Sequence, residues 1–193
     1  STPEQKEEFP THDAPQRPEE LPCDVHTLRV DKQSWTIIIG LLDGKPYEVF
    51  GGLSEHIDVS DIDAEPVLKK RRFKTRPAAY DLIFDNGVKI KDIVKVFQDP
   101  EYGTLTRLLS TSLRHGTPIH FLVEQIQKGD KSSDFFSFNK SLARVLKTYI
   151  PDGTKASSEK QCKNCGSDNL VYQERVYYLS RLWFFKVRLI NMS

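Results

Sequence analysis

The chain has few cysteines and almost no net charge. Three cysteines among 193 residues are too few for a disulfide scaffold, and a formal net charge of +1 gives no overall attraction to nucleic acid or an anionic membrane. No P-loop, dinucleotide-binding glycine pattern or nucleophile elbow occurs. The apolar stretch 176–190 is too short and too charged to span a membrane. Together with a polar start that lacks a signal peptide, these absences indicate a cytoplasmic protein.

The patterning predicts an α+β fold, with a mostly antiparallel sheet followed by about three helices. Short apolar or alternating runs predict strands at 25–30, 35–42, 47–50, 66–76, 80–84 and 88–97, with turns at Asp43-Gly44 and Asn86-Gly87. The period then changes to that of helices, with apolar stripes at 105–113, 119–126 and 142–149. We expect Trp35, Ile37 and Ile39 to lie in the core.

Composition predicts four segments. Residues 1–22 are rich in Pro, Glu and Gln and are interpreted as a flexible linker. Residues 23–150 form the α+β domain. Residues 151–161 are a second polar linker. Residues 162–193 are a knuckle, which is one half of a zinc ribbon, followed by a divergent, flexible tail.

The most informative motif is the pair Cys162 and Cys165, which flank two residues and are followed by Gly166. A dithiol with this spacing suits thiol–disulfide exchange, because one thiolate attacks and its neighbour resolves the mixed disulfide. The same spacing is half of a tetrahedral zinc site, which needs two further ligands. Cys23 and His26 are the candidates for those ligands. A third interpretation is a pair without function. The residues alone leave these interpretations open, and we expect an exposed dithiol.

Other polar groups are interpreted as structural. The basic run 69–76 is most simply a solvated sheet face or a charged edge strand. Arg107, Arg114 and His115 are expected on the polar face of a helix, near its C-terminus. His26 is expected to be a partly buried, hydrogen-bonded side chain.

Several segments together resemble the C-terminal region of adenosylcobalamin-dependent, class II ribonucleotide reductases. They lie in order at 17–26 (RPEELPCDVH), 40–52 (GLLDGKPYEVFGG), 105–116 (LTRLLSTSLRHG), 119–125 (IHFLVEQ) and 138–147 (FNKSLARVLK), with the knuckle after them. The family calls part of this region a TSCPD domain. Here the corresponding stretch reads STSLR at 110–114, without the cysteine or proline of that name.

The resemblance implies a role in making deoxyribonucleotides for DNA synthesis. Such enzymes reduce ribonucleotides with a cobalamin-generated thiyl radical in a catalytic barrel, and each turnover leaves an active-site disulfide. A cysteine-bearing tail, itself reduced by thioredoxin or a similar donor, re-reduces that disulfide. The resemblance therefore assigns Cys162 and Cys165 to a redox relay, with the barrel and a thioredoxin-like reductant as partners, and neither nucleic acid nor membrane among them.

Two departures from the family qualify this expectation. The barrel of the ribonucleoside-diphosphate reductase, which binds adenosylcobalamin, is missing, so we expect no catalytic residue and no activity in this chain alone. The family tail continues into further cysteines, whereas residues from Arg175 onward are unrelated to it. The chain is therefore expected to be a C-terminal fragment or small subunit of such a reductase. The alternative is a non-catalytic zinc-ribbon module for protein interaction.

Overall fold

A computed structural model describes residues 12–57, 59, 62–129, 136–157, 160–173 and 176–179. The strands are β1 (Glu20–Val30), β2 (Gln33–Leu42), β3 (Lys45–Leu53), β4 (Pro66–Arg71), β5 (Ala79–Phe84), β6 (Lys89–Ile90), β7 (Leu170–Gln173) and β8 (Val176–Leu179). The helices are α1 (Ile93–Phe97), α2 (Pro100–Arg114), α3 (Ile119–Gln127) and α4 (Phe136–Lys147). The predicted α+β class is confirmed, with four described helices where about three were expected.

Strands β1 to β6 form one sheet in the order β3-β2-β1-β4-β5-β6. The turns that join β1 to β2 and β2 to β3 each contain two residues with positive φ, a combination that suits tight hairpins. These residues are Asp31 and Lys32 in the first turn, and Asp43 and Gly44 in the second. Strand β4 pairs antiparallel with both β1 and β5, so it lies inside the sheet and is not the charged edge strand that its basic residues suggested.

The described residues divide into two compact units, of which 12–25, 38–50 and 62–117 form the first. Its core includes Leu68, Leu82 and Ile93, all fully buried. Helix α2 packs on the edge strand β3, where the backbone N–H of Val49 donates to Ser110 Oγ at 2.9 Å. This side-chain hydrogen bond satisfies a group that an edge strand would otherwise leave open.

The remaining described residues form the second unit. Trp35 is its largest fully buried side chain. The Trp35 indole N–H donates to Ser137 Oγ at 2.8 Å, and that hydroxyl donates to the carbonyl of Val30 at 2.9 Å. The Phe138 ring packs against the indole with a centroid distance of 5.3 Å. The predicted burial of Trp35 is therefore confirmed, and Ile37 of the same strand is also fully buried.

The strand predicted at 88–97 is wrong. Only Lys89 and Ile90 are extended, and the short helix α1 follows them. Ile93 and Phe97 are four residues apart, and both are buried; this spacing places them on one face of a helix. Asp92 and Gln98 adopt left-handed conformations on either side of the helix and bound it.

The first linker boundary also differs from the structure. Strand β1 begins at Glu20, inside the segment 1–22 that was predicted to be a linker, and Leu21 is fully buried. Residues 1–11 lie outside the described part of the chain. None of the described helices is long and apolar enough to cross a membrane.

Candidate thiol site

The candidate site is the loop 157–169, which carries Cys162 and Cys165 and whose residues 158 and 159 are not described. Both ends of this thiol loop are tied to strand β7. The Gly153 N–H donates to the Tyr172 carbonyl and the Tyr172 N–H donates to the Thr154 carbonyl, each at 2.7 Å. The Ala156 N–H donates to the Leu170 carbonyl at 2.9 Å. Residues 153–156 therefore run as a short partner of β7.

Strand β7 is itself fixed to the second unit. The Tyr172 side chain is 1% exposed, and its hydroxyl donates to the Lys147 carbonyl at the end of α4, at 2.8 Å. On its other edge β7 pairs antiparallel with β8. The segment 151–161 was predicted to be a linker, but its first half is hydrogen-bonded backbone. The thiol loop is therefore held at both ends.

The backbone between the two cysteines folds into a tight turn. The Gly166 N–H donates to the Cys162 carbonyl, and the Cys162 N–H donates to the Ser167 carbonyl, each at 2.8 Å. Gly166 has a φ of 70°, a conformation that strains any residue with a Cβ atom. The glycine after the second cysteine is thus required by the turn, which brings the two side chains together.

The turn stabilises the thiolate form of Cys162. The backbone N–H groups of Asn164 and Cys165, followed by the Cys165 thiol, lower the pKa of Cys162 below its ordinary value, because they favour the charged form. Cys162 is half-buried, Cys165 is exposed, and neither forms a disulfide. A thiol whose pKa is lowered, next to an accessible second thiol, suits nucleophilic exchange.

Of the two residues proposed as further zinc ligands, Cys23 is buried and His26 is hydrogen-bonded. Cys23 is 5% exposed, and burial, followed by the charges of Asp24 and Glu48, raises its pKa to about 12. It is therefore a neutral thiol at physiological pH, whereas zinc binds the thiolate. His26 is hydrogen-bonded through Nε2 to the Tyr149 hydroxyl at 2.7 Å, which confirms the structural role expected of it.

A closed zinc site does not fit the residues that the structure describes. No group of three or more His, Cys, Asp or Glu side chains among them is arranged to hold a metal ion. The thiol loop offers two sulfur ligands, and a structural zinc site takes four. Arg175 and residues 180–193, outside the described part, contain no Cys, His, Asp or Glu.

Sequence reasoning missed a buried ionic cluster around Glu48, which we call the Glu48 cluster. Glu48 is fully buried, and its carboxylate accepts from Arg17 Nη2 at 2.6 Å and from Arg114 Nη2 at 3.1 Å. Arg114 lies in the last turn of α2, as expected, and in addition pairs with this buried carboxylate. The available signal was Gly40 within the apolar strand β2, because a glycine in a strand marks a close approach. A Cβ atom at Gly40 would lie 2.6 Å from Glu48 Cγ.

The basic run 69–76 is partly neutralised by local carboxylates. Lys69 Nζ lies 3.0 Å from Glu19 and 3.1 Å from Glu20. Arg71 makes two hydrogen bonds of 2.9 Å to the buried carboxylate of Asp81. These pairs favour the interpretation of the run as a solvated sheet face.

Most of the chain matches a known protein family. The model of the family described as NrdJ homologue C-terminal domain matches residues 21–151. The chain belongs to this family. It is thus related to the C-terminal region of the class II ribonucleotide reductase NrdJ, as the sequence motifs indicated. No curated protein and no solved structure matches the chain.

The family match ends before the thiol loop. It covers the six-stranded sheet and all four described helices, but Cys162 and Cys165 follow eleven or more residues later. Family membership therefore supports an association with ribonucleotide reductase. It gives no role for the cysteine pair, which lies outside the matched residues.

Proposed function

We propose that this chain serves a class II ribonucleotide reductase as a C-terminal module, and that Cys162 and Cys165 pass electrons to the active-site disulfide of that enzyme. The observation that carries the proposal is the tight backbone turn that holds the Cys162 thiol next to the exposed Cys165 thiol. Family membership supports an association with ribonucleotide reductase, and the geometry of the loop supports thiol exchange.

The exchange would begin at Cys162. Its thiolate attacks one sulfur of the reductase disulfide, the S–S bond breaks, and the released thiolate of the reductase takes up a proton. The Cys165 thiol loses its proton and attacks the Cys162 sulfur, which frees the second reductase thiolate. The products are a Cys162–Cys165 disulfide and a reduced active site. A thioredoxin-like dithiol then reduces the pair and is itself oxidised.

The fixed position of the thiol loop changes how the relay would reach its target. A mobile tail would swing into the active site, whereas a loop tied at residues 153–156 and at β7 would require the reductase to dock against it. Direct sulfur contact is needed in either case. In this proposal, binding between the two proteins replaces a flexible tether as the source of a high local thiol concentration.

The radical chemistry would belong to the catalytic barrel and not to this chain. Adenosylcobalamin generates the thiyl radical when it is bound in that barrel, and we assign no residue of the present chain to it. The chain would contribute the thiol loop and the folded surface around it.

The experiment is to trap the exchange. The oxidised chain is mixed with a thioredoxin whose resolving cysteine is replaced by serine, and the mixed disulfide is separated on a non-reducing gel. We expect a trapped species with the unaltered chain and with Cys23→Ser, and none with the Cys162→Ser/Cys165→Ser double variant. A trapped species with the double variant would contradict the relay.

Zinc content separates this proposal from the alternative of a zinc-ribbon interaction module. The purified chain is analysed for zinc alongside Cys162→Ser. A zinc-free protein whose cysteine pair oxidises and reduces reversibly supports the relay. One zinc per chain that is lost in the variant supports the interaction module, with the missing ligands supplied from outside the described residues.

A further inference from the structure

A cavity of about 430 Å³ lies between the C-terminal end of α3 and one face of α4. This α3–α4 cavity is within the second unit, and none of its described lining residues belongs to the thiol loop. Its volume is in the range of small-molecule sites. The lining combines polar and charged side chains with a few apolar ones, principally Gln127, Asn139, Lys140, Arg144, Lys147 and Ile126.

Among the described residues that line the cavity, the charged side chains are all positive. Lys140, Arg144 and Lys147 are spaced by four and three residues along α4, so they share one face of the helix. None of the described lining residues carries a carboxylate. Like charges at these spacings destabilise a helix, and neither Arg144 nor Lys147 has an ion-pair partner in the described part of the chain. Lys140 lies 3.7 Å from Asp31 in an exposed pair.

The position of Lys147 makes an anion favourable. Burial lowers the pKa of its ammonium group, and the positive charges of Lys160 and Arg144 lower it further. Lys160 is itself 3.4 Å from the buried carboxylate of Glu124. An anion in the cavity would offset both the burial and the repulsion that Lys147 experiences.

An uncharged group adds a second feature of a binding site. The Oδ1 atom of Asn139 is buried and has no hydrogen-bond partner among the described residues. A buried acceptor without a partner costs free energy, so a ligand hydroxyl or a bound water would be stabilised there. The cavity therefore offers positive charge for an anion and an acceptor for a neighbouring hydroxyl group.

We propose that the α3–α4 cavity binds the phosphate group of a phosphorylated small molecule, held by Lys140, Arg144 and Lys147. Guanidinium and ammonium groups form the charge-assisted hydrogen bonds that phosphate oxygens accept. The proposal does not depend on the cysteine pair or on the redox role.

Calorimetric titration of the full chain tests this site. The probes are glycerol 3-phosphate, uncharged glycerol and inorganic pyrophosphate. We expect glycerol 3-phosphate to bind, glycerol not to bind, and pyrophosphate to compete for the same site. Affinity should fall by about a hundredfold or more in Arg144→Gln/Lys147→Gln, since this double variant loses two charge-assisted hydrogen bonds.

A matched control removes charge elsewhere. Lys74→Gln changes an exposed lysine that does not line the cavity, and it should leave the affinity unchanged. Thermal unfolding of each variant checks that the fold is intact. The proposal is overturned if neither phosphate compound binds, if glycerol binds as tightly as its phosphate, or if the double variant binds as well as the unaltered chain. The proposal would also be overturned if pyrophosphate binds and glycerol 3-phosphate does not, because the cavity would then bind an inorganic anion and not a phosphorylated small molecule.

Discussion

Removing the Arg17 side chain should destabilise the first unit far more than removing an exposed cation from the same sheet. The Arg17 side chain is 4% exposed and makes two contacts of 3.1 and 2.6 Å to the separate oxygens of the buried Glu48 carboxylate. It also donates to the carbonyls of Pro18, Glu19 and Leu68. In Arg17→Met, Arg114 is the ion-pair partner that the buried carboxylate keeps among the described residues.

The magnitude follows from the loss of one partner in a buried ion pair. Such a loss costs about 3–5 kcal/mol because the remaining charge stays buried. Since Arg114 remains beside Glu48, we expect the lower end, about 3 kcal/mol. For a chain of this size, that corresponds to a fall in Tm of roughly 6–12 °C. Urea unfolding followed by circular dichroism measures the free energy, and differential scanning calorimetry measures Tm.

Lys69→Met is the matched control. Lys69 also contacts two carboxylates, Glu19 and Glu20, but the three side chains are 32%, 65% and 55% exposed. Exposed pairs contribute about 0–1 kcal/mol, so this variant should unfold close to the unaltered chain. In a Glu48→Gln background, Arg17→Met should cost much less than it does alone. Equal effects of Arg17→Met and Lys69→Met would refute the reasoning.

Three further changes test other parts of the structure. Gly51→Ala would place a Cβ atom 2.8 Å from Ile37 Cδ1, so chemical denaturation should show a loss of about 1–3 kcal/mol; unchanged stability would contradict this contact. Burial raises the pKa of the Asp81 carboxyl, but Arg71 and other donors outweigh it and lower the pKa below its ordinary value. The ion pair therefore stabilises the folded chain above the pKa that Asp81 has in the unfolded chain, and this stability is lost as pH falls through its pKa in the folded chain. Asp81→Asn should flatten the acid limb of the curve of unfolding free energy against pH. An unaltered limb would count against the ion pair. Tyr172→Phe should cost about 1 kcal/mol and speed hydrogen exchange at β7; unchanged exchange rates would show that the hydroxyl does not fix this strand.

Much of the fold could be predicted because its signals are local. The Asp43-Gly44 turn between two apolar runs predicted the β2–β3 hairpin, and the observed positive φ angles match it. The apolar stripe at 105–113 predicted a helix, and α2 contains it. The continuous apolar run from Trp35 predicted a strand buried on both faces. Each of these depends on residues close together in the sequence.

The rest depends on contacts between distant residues. The Glu48 cluster joins three residues that lie 31 and 66 positions apart, and a carboxylate in an exposed strand looks the same in sequence. The segment 153–156 is polar, and only its pairing with β7 keeps it from being a linker. At 88–97, an apolar run too short to distinguish helix from strand was decided by the burial of Ile93 and Phe97.

The cysteine pair was found from its spacing, but its environment was not. The sequence left zinc binding and dithiol exchange open, because both use two thiols separated by two residues. The turn determines that environment, because its backbone N–H groups at Asn164 and Cys165 lower the pKa of the Cys162 thiol. They assign the attacking role in the proposed exchange to Cys162.

The most direct test of the proposed relay is turnover by the class II reductase of the same organism. Its catalytic barrel is supplied with adenosylcobalamin, ribonucleotide, thioredoxin and a reductant for thioredoxin, and deoxyribonucleotide is counted per barrel. We predict many turnovers when the unaltered chain is added, and only the turnover supported by the initially reduced active site with Cys162→Ser/Cys165→Ser. Equal sustained turnover with the unaltered chain and with the double variant would contradict the relay.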